Sequence, residues 1–280
     1  MVAGGYVVLE RPNPALVAAV SARVYSVVAP LADAESPKKS GATPEIEIEV
    51  LSPQMGQCRR YTMTCSAEAC ALARADEMSQ NPYIEATLAN TAALVMSLKG
   101  ASAFRSFSVS IHGDNAFYVM ENADGGRAED LPRFAPITQG AADRAEHAAN
   151  VRKTGLGSSA ALVTSLVAAI LAHFHVVALP TDETEADRTQ LALIHNLAQV
   201  CHCCAQGKVG SGFDVAAAVF GSIRYTRFSA ALLDGLKGKH ARHTCVHKTW
   251  KQMCKVHVHA WMQRRRRPDC REARKHMQTV

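Results

Sequence analysis

The stretch Lys153-Thr154-Gly155-Leu156-Gly157-Ser158-Ser159-Ala160-Ala161-Leu162-Val163 decides the reading of this chain. A glycine-rich turn and paired hydroxyls open directly into an apolar run, so a helix is predicted from about Ser159 to His173. Glycine lets the backbone approach a ligand closely. The first turn of a helix offers unpaired N–H groups and a partial positive charge, which suits phosphate. The hydroxyls can donate to phosphate or offer an oxygen to magnesium. No Gly-Lys-Ser/Thr closes the turn, which excludes a Walker loop in detail.

Working outward, a second glycine-rich turn, Gly207-Lys208-Val209-Gly210-Ser211-Gly212-Phe213-Asp214, leads into the apolar segment Val215 to Phe220 and then a strand over Gly221 to Tyr225. Between the two turns, Pro180-Thr181 is read as the start of a helix that buries Leu191, Ile194, Leu197, Ala198 and Cys201. Upstream, Glu45-Ile46-Glu47-Ile48-Glu49-Val50 alternates as a half-buried strand does. Phe107, Val109 and Ile111 repeat the pattern, with a turn at His112 to Asn115. Asn81-Pro82 reads as a cap and first-turn pair, opening a helix with Ile84, Leu88, Val95 and Leu98 near one face. Met1 to Leu9 reads as the second half of a hairpin or strand-turn unit, and 15–28 as strand or helix. Loops are expected over 36–44 and 121–150.

The 280 residues suffice for a sizeable core, and 48% hydrophobic content fits a soluble globular chain. The net charge of +6 is unevenly placed: residues 237–280 hold 13 Lys or Arg against 2 Asp or Glu, and 6 of the 12 histidines. The body is therefore mildly acidic and the basic character belongs to the tail. The longest apolar run, Ala160 to Ala172, is too short to span a bilayer, and no charged segment precedes an apolar start as a signal peptide requires. Nine cysteines without such a signal suggest reduced thiols.

The pair of motifs at 153–163 and 207–222, with Ala3-Gly4-Gly5-Tyr6-Val7-Val8-Leu9-Glu10, Asn81-Pro82-Tyr83 and Asp114 to Tyr118, resembles the eukaryotic-type phosphomevalonate kinases of the GHMP kinase superfamily. The resemblance covers roughly residues 3–228 and implies an α+β fold, a GHMP-kinase N-terminal ATP-binding domain over 1–228 with a mixed sheet packed on helices. It implies ATP and Mg2+ as cofactors and 5-phosphomevalonate as acceptor, converted to 5-diphosphomevalonate in the mevalonate route to isoprenoids and sterols. On it, Gly155, Leu156, Gly157, Ser158, Ser159 and Ala160 form the phosphate loop, with Ser158 or Ser159 on magnesium. Asp214 and Lys153 are the implied catalytic residues, and Arg23, Lys208, Ser211 and Gly212 flank the acceptor. An acceptor that is itself an ionised phosphate needs no strong base, so Asp214 is expected to orient more than abstract. The family's Pro-Gly-Lys strand ahead of the Gly-Gly turn, and its third glycine-rich motif in a C-terminal domain, have no counterpart here. Residues 229–280 are accordingly read as an irregular basic tail without family resemblance. The enzyme is expected in the cytoplasm or a peroxisome-like organelle, with no specific nucleic-acid partner and no membrane insertion.

Other readings are kept beside this one. Asp214 could serve as an ordinary helix cap. Cys201-His202-Cys203-Cys204 tempts a zinc reading, but neighbours on a helix diverge and no CxxC pair lies at finger spacing, so a buried thiol cluster is favoured. Where the superfamily often carries a carboxylate for magnesium, this helix holds His202 and Gln206, leaving the second metal ligand unassigned. The Arg264–Arg267 run fits a nonspecifically adhesive tail better than a nucleic-acid site. Alternative functions are a sister kinase of another small metabolite, such as mevalonate, or an inactive fragment.

Overall fold

The computed structural model describes residues 1–31, 45–65, 70–77, 79–119, 131–137, 153–179 and 185–236. The expected loop at 36–44, most of the one at 121–150, the helix start at Pro180-Thr181 and the tail 237–280 lie outside the described residues. The strands are β1 (Pro14–Val17), β2 (Val24–Pro30), β3 (Glu45–Ser52), β4 (Gln57–Cys65), β5 (Cys70–Arg74), β6 (Phe107–Gly113) and β7 (Ile223–Thr226). The helices are α1 (Pro82–Lys99), α2 (Ser158–His173), α3 (Glu185–Gln206) and α4 (Phe213–Phe220).

Five strands form one mixed sheet in the order β2-β6-β3-β4-β5, antiparallel except for the parallel pair β3–β6. The alternation at 45–50 is realised in full: Ile46, Ile48 and Val50 are buried while Glu45 and Glu47 face solvent. A sheet with one wet face must cover the other, and here helices do so. Ile84, Leu88, Leu94 and Val95 of α1, Leu166, Val167, Ile170 and Leu171 of α2, and Ile194, Leu197 and Cys201 of α3 share one core with Ile48, Met63, Phe107 and Val109. Leu98, expected with them, is half exposed at the end of α1.

The N-terminal cap of α1 forms as its sequence implies. Asn81 Oδ1 accepts from Ile84 N at 3.3 Å, and Glu85 Oε1 accepts from Asn81 N at 3.3 Å. Asn81→Ala is expected to destabilise the protein by about 1 kcal/mol, read as a lowered denaturant midpoint with an unchanged slope.

The chain start departs from expectation. Gly5–Leu9 is a 3-10 helix rather than a strand, and only Ala3 bridges Leu16. The left-handed backbone of Gly4 (φ 114°) and Gly5 (φ 42°) turns the chain out of extended geometry at once. Val8 is then buried with Ala15, Val17, Ala216, Phe220 and Tyr225 in a small core of its own. The segment 15–28, open between strand and helix, contributes to two strands. β1 pairs antiparallel with β7, so the N-terminal segment is clamped to the segment that follows α4. Past the expected boundary at 228, Ala230–Leu236 forms another 3-10 helix, and Leu233 packs with Val200 and Cys203.

Candidate active site

The helix predicted from the glycine turn is α2, and Gly157 (φ 78°) caps its N-terminus. With Gly155 also at φ 80°, the turn needs two left-handed positions within three residues, which glycine alone adopts at little cost. The turn leans on the end of the sheet. Lys153 bridges Tyr118, Thr154 N donates to Phe117 O at 3.1 Å, and Thr154 Oγ1 donates to Ala116 O at 2.7 Å. Leu156 and Lys153 are exposed, and Ala160 is fully buried beneath.

The second glycine turn ends at Gly212 (φ 80°), the N-cap of α4. Two residues that sequence reasoning did not single out hold it. Tyr225 OH donates to Ser211 O at 2.6 Å, and Arg227 donates to Val209 O at 3.3 Å and Gly210 O at 3.1 Å. Their spacing from the turn in sequence carries no signal, because β7 must first fold back beside β1.

Asp214 lies one residue inside α4, so it is not the N-cap residue. Its Oδ1 accepts from Val215 N at 2.9 Å and its side chain stays partly open. The two turns meet here: a methyl group built on Gly157 would stand 3.9 Å from Asp214 Cβ. The structure thus gathers Gly157, Ser159, Gly212 and Asp214.

The last turn of α3 supplies the floor. His202 is buried, with Nε2 3.2 Å from Ser159 Oγ, 3.5 Å from Gln206 Nε2 and 3.9 Å from Asp214 Oδ2. Its ring lies against Tyr83, with centroids 5.6 Å apart. Burial pulls the imidazole below its ordinary pKa, and the Asp214 carboxylate pulls the other way. The neighbouring cysteines do not converge. Cys201 belongs to the main core, Cys203 and Cys204 to a second cluster, and burial pushes the Cys201 and Cys203 thiols up, away from the thiolate a zinc site uses.

Arg23 and Lys208 are placed differently. Arg23 is exposed, and its guanidinium donates to Val20 O and, at 3.1 Å, to Ala22 O of its own loop. Arg23 N donates to Asp114 Oδ2 at 2.7 Å, which seats it beside the same segment that carries the 153–154 turn. Lys208 is exposed, and no contact among the described residues joins either cation to Asp214. A magnesium ion would find hard oxygen donors here, in Ser159 and the partly open carboxylate of Asp214, and Mg2+ ordinarily takes its other ligands from water and substrate phosphates. The donor set therefore fits an ion that arrives with a nucleotide. Among the described residues no group of three or more His, Cys, Asp or Glu suited to a metal occurs, and no helix is long and apolar enough to cross a membrane.

Comparison with known proteins places these features. Residues 144–222, which contain both turns, match the GHMP kinases N terminal domain. The chain is 37% identical over 254 residues to the peroxisomal phosphomevalonate kinase of Arabidopsis thaliana, covering 83% of this chain and 50% of the relative. It is 37% identical over 243 residues to the phosphomevalonate kinase ERG8 of Gibberella zeae, again covering 83% and 50%. A solved Streptococcus pneumoniae phosphomevalonate kinase, in complex with phosphomevalonate and AMPPNP, aligns with 84% of this chain and 49% of its own at 18% identity and a TM-score of 0.46. The chain spans about half the length of the curated relatives it matches. The chain carries a GHMP kinase N-terminal domain and is similar over most of its length to phosphomevalonate kinases.

Proposed function

We propose that the protein transfers the γ-phosphoryl group of ATP to (R)-5-phosphomevalonate, forming 5-diphosphomevalonate and ADP in the mevalonate route to isoprenoids and sterols. The observation that carries this reading is the meeting of the two glycine turns, with the Asp214 carboxylate beside the N-terminus of α2. The first turn of α2 leaves N–H groups without intrahelical acceptors, which suits phosphate, and the exposed Lys153 at the start of the turn adds a positive charge. Phosphoryl transfer asks for in-line positioning and for positive charge where negative charge spreads, and little covalent chemistry from the protein. Magnesium, when bound with the nucleotide through Ser158 or Ser159, neutralises phosphate charge. Ser211 and Gly212 shape the acceptor side next to Asp214, and Lys208 and Arg23 lie at the rim to meet the acceptor's anionic groups. Asp214 orients an acceptor phosphate that is already ionised. The cellular site we favour is the cytoplasm or a peroxisome-like organelle, the latter in keeping with the name of the Arabidopsis relative.

A coupled assay of ADP release tests this. Turnover is expected with 5-phosphomevalonate, and at least about a hundredfold lower kcat/KM with mevalonate, whose missing phosphate leaves charged groups unpaired. Turnover on mevalonate alone would reassign the substrate, and ADP release on neither would remove the activity.

A further inference from the structure

The described residues contain one buried imidazole that touches both glycine turns without belonging to either. Resting on the functional reading above, we propose that His202 is the positioning residue of the transfer site. It fixes the Ser159 hydroxyl and the Asp214 carboxylate relative to each other. Three observations support this. First, a single atom, Nε2, reaches Ser159 Oγ at 3.2 Å and Asp214 Oδ2 at 3.9 Å, so one ring links the N-termini of α2 and α4. Second, the ring is 2% exposed and held from another side by Tyr83 of α1, while Gln206 adds a polar neighbour at 3.5 Å from the same turn of α3. It therefore has little freedom of its own. Third, the other oxygen of Asp214, Oδ1, is held by the Val215 amide at 2.9 Å. The carboxylate has one oxygen bonded on its own helix and the other 3.9 Å from His202 Nε2, an electrostatic contact rather than a hydrogen bond.

The consequence is specific. Without His202, Asp214 keeps its backbone bond but loses the partner that sets its rotation, and Ser159 loses its only side-chain partner among the described residues. Misplacement of a reacting group by about 1 Å costs on the order of a hundredfold in rate, and neighbours that orient a functional group typically contribute about 10- to 100-fold. Buried behind Ser159 and Asp214, His202 is placed to act through them and not on the transferred group itself. Its loss is therefore expected in kcat, with KM for ATP little changed.

The test compares His202→Leu, which keeps much of the volume, with His202→Gln, whose amide can place a hydrogen-bonding group near the Nε2 position. Each is made in the full chain, with and without Asp214→Asn. His202→Leu is expected to lower kcat about 30-fold and His202→Gln to recover most of it. The double variant His202→Leu/Asp214→Asn is expected to be no slower than Asp214→Asn alone, as groups acting in one unit behave. Equal rates for the Leu and Gln variants, or additive losses in the double variant, overturn the proposal. Long-range 1H–15N spectra of the imidazoles provide a readout that does not need turnover. Asp214→Asn and Ser159→Ala are each expected to shift the His202 Nε2 resonance, and an Nε2 resonance unmoved by either also overturns it. If the unaltered chain releases no ADP, the functional reading falls, and these spectra still decide whether His202 couples the two turns.

Discussion

Asp214→Asn is expected to lower kcat for phosphoryl transfer to 5-phosphomevalonate by about 10³-fold and to leave the thermal midpoint nearly unchanged. The two halves of this expectation come from different contacts. For stability, the carboxylate accepts one hydrogen bond, from the Val215 amide at 2.9 Å, and its other face is partly open to water. Asn retains an acceptor oxygen for that amide, and substitutions at sites of this exposure usually stay within about 0.5 kcal/mol. For activity, the side chain sits where the two glycine turns meet, beside Gly157. Removing its charge removes both the oriented anion and a ligand suited to magnesium. Groups that act in the transition state of such reactions contribute roughly 10²- to 10⁴-fold. If Asp214 orients, as an ionised acceptor allows, kcat falls at every pH. If it abstracts a proton, the acidic limb of the kcat profile disappears as well. Steady-state ADP release across pH, alongside thermal unfolding, separates these outcomes. A variant within tenfold of the unaltered rate would take Asp214 out of the mechanism.

The framework of the candidate site was legible where the backbone itself carries the signal. Gly155 and Gly157 announce a turn that only glycine makes, and the run from Ala160 announces the helix behind it; the observed start, Ser158, lies one position from the expected one. The strand at Glu45 was legible because burial on one face of a sheet imposes a period of two, and the start of α1 because Asn81 must satisfy an orphan amide of its first turn. Tertiary partners were not legible. β1 and β7 pair across some two hundred positions of sequence, so nothing local at Pro14 tells of Ile223. The 3-10 helix at Gly5–Leu9 follows from the same pairing, because Val8 is drawn into a core made by Phe220 and Tyr225. His202 stood in plain view inside a Cys-His-Cys-Cys string that is read in sequence as a buried thiol cluster. Its contacts are set by which face of α3 turns toward Ser159 and Asp214, and the string does not encode them. Arg23 and Lys208 show the converse: the resemblance implied a place beside the acceptor, while both side chains are exposed and Arg23 bonds its own loop.

Gly212→Ala is expected to destabilise the protein by about 2–5 kcal/mol and, in the fraction that folds, to cut kcat with little effect on ATP binding. Gly212 sits at φ 80°, where an alanine costs roughly 1–2 kcal/mol in backbone strain. The added methyl would also stand 2.6 Å from Gln199 Oε1, 2.8 Å from Phe228 Cε1 and 2.9 Å from Tyr225 OH. The two rings do not yield freely. Tyr225 OH is bonded to Ser211 O at 2.6 Å and Phe228 packs against the second core, so room for the methyl comes from shifting the turn itself. Forcing a methyl into packed surroundings costs about 1–3 kcal/mol more. Asp214 lies two residues on, so the displacement reaches it directly. Gly155→Ala is the control that isolates strain from crowding. Gly155 has the same φ of 80°, but nothing lies within 4 Å of its added Cβ. It should lose only about 1–2 kcal/mol in stability, and its activity loss should appear as weaker ATP binding, because the methyl intrudes where phosphate approaches. Urea denaturation of the two variants, with KM for ATP measured on each, checks the contrast. Equal destabilisation would mean that the left-handed backbone alone decides at Gly212 and that the contacts with Gln199, Phe228 and Tyr225 relax without cost.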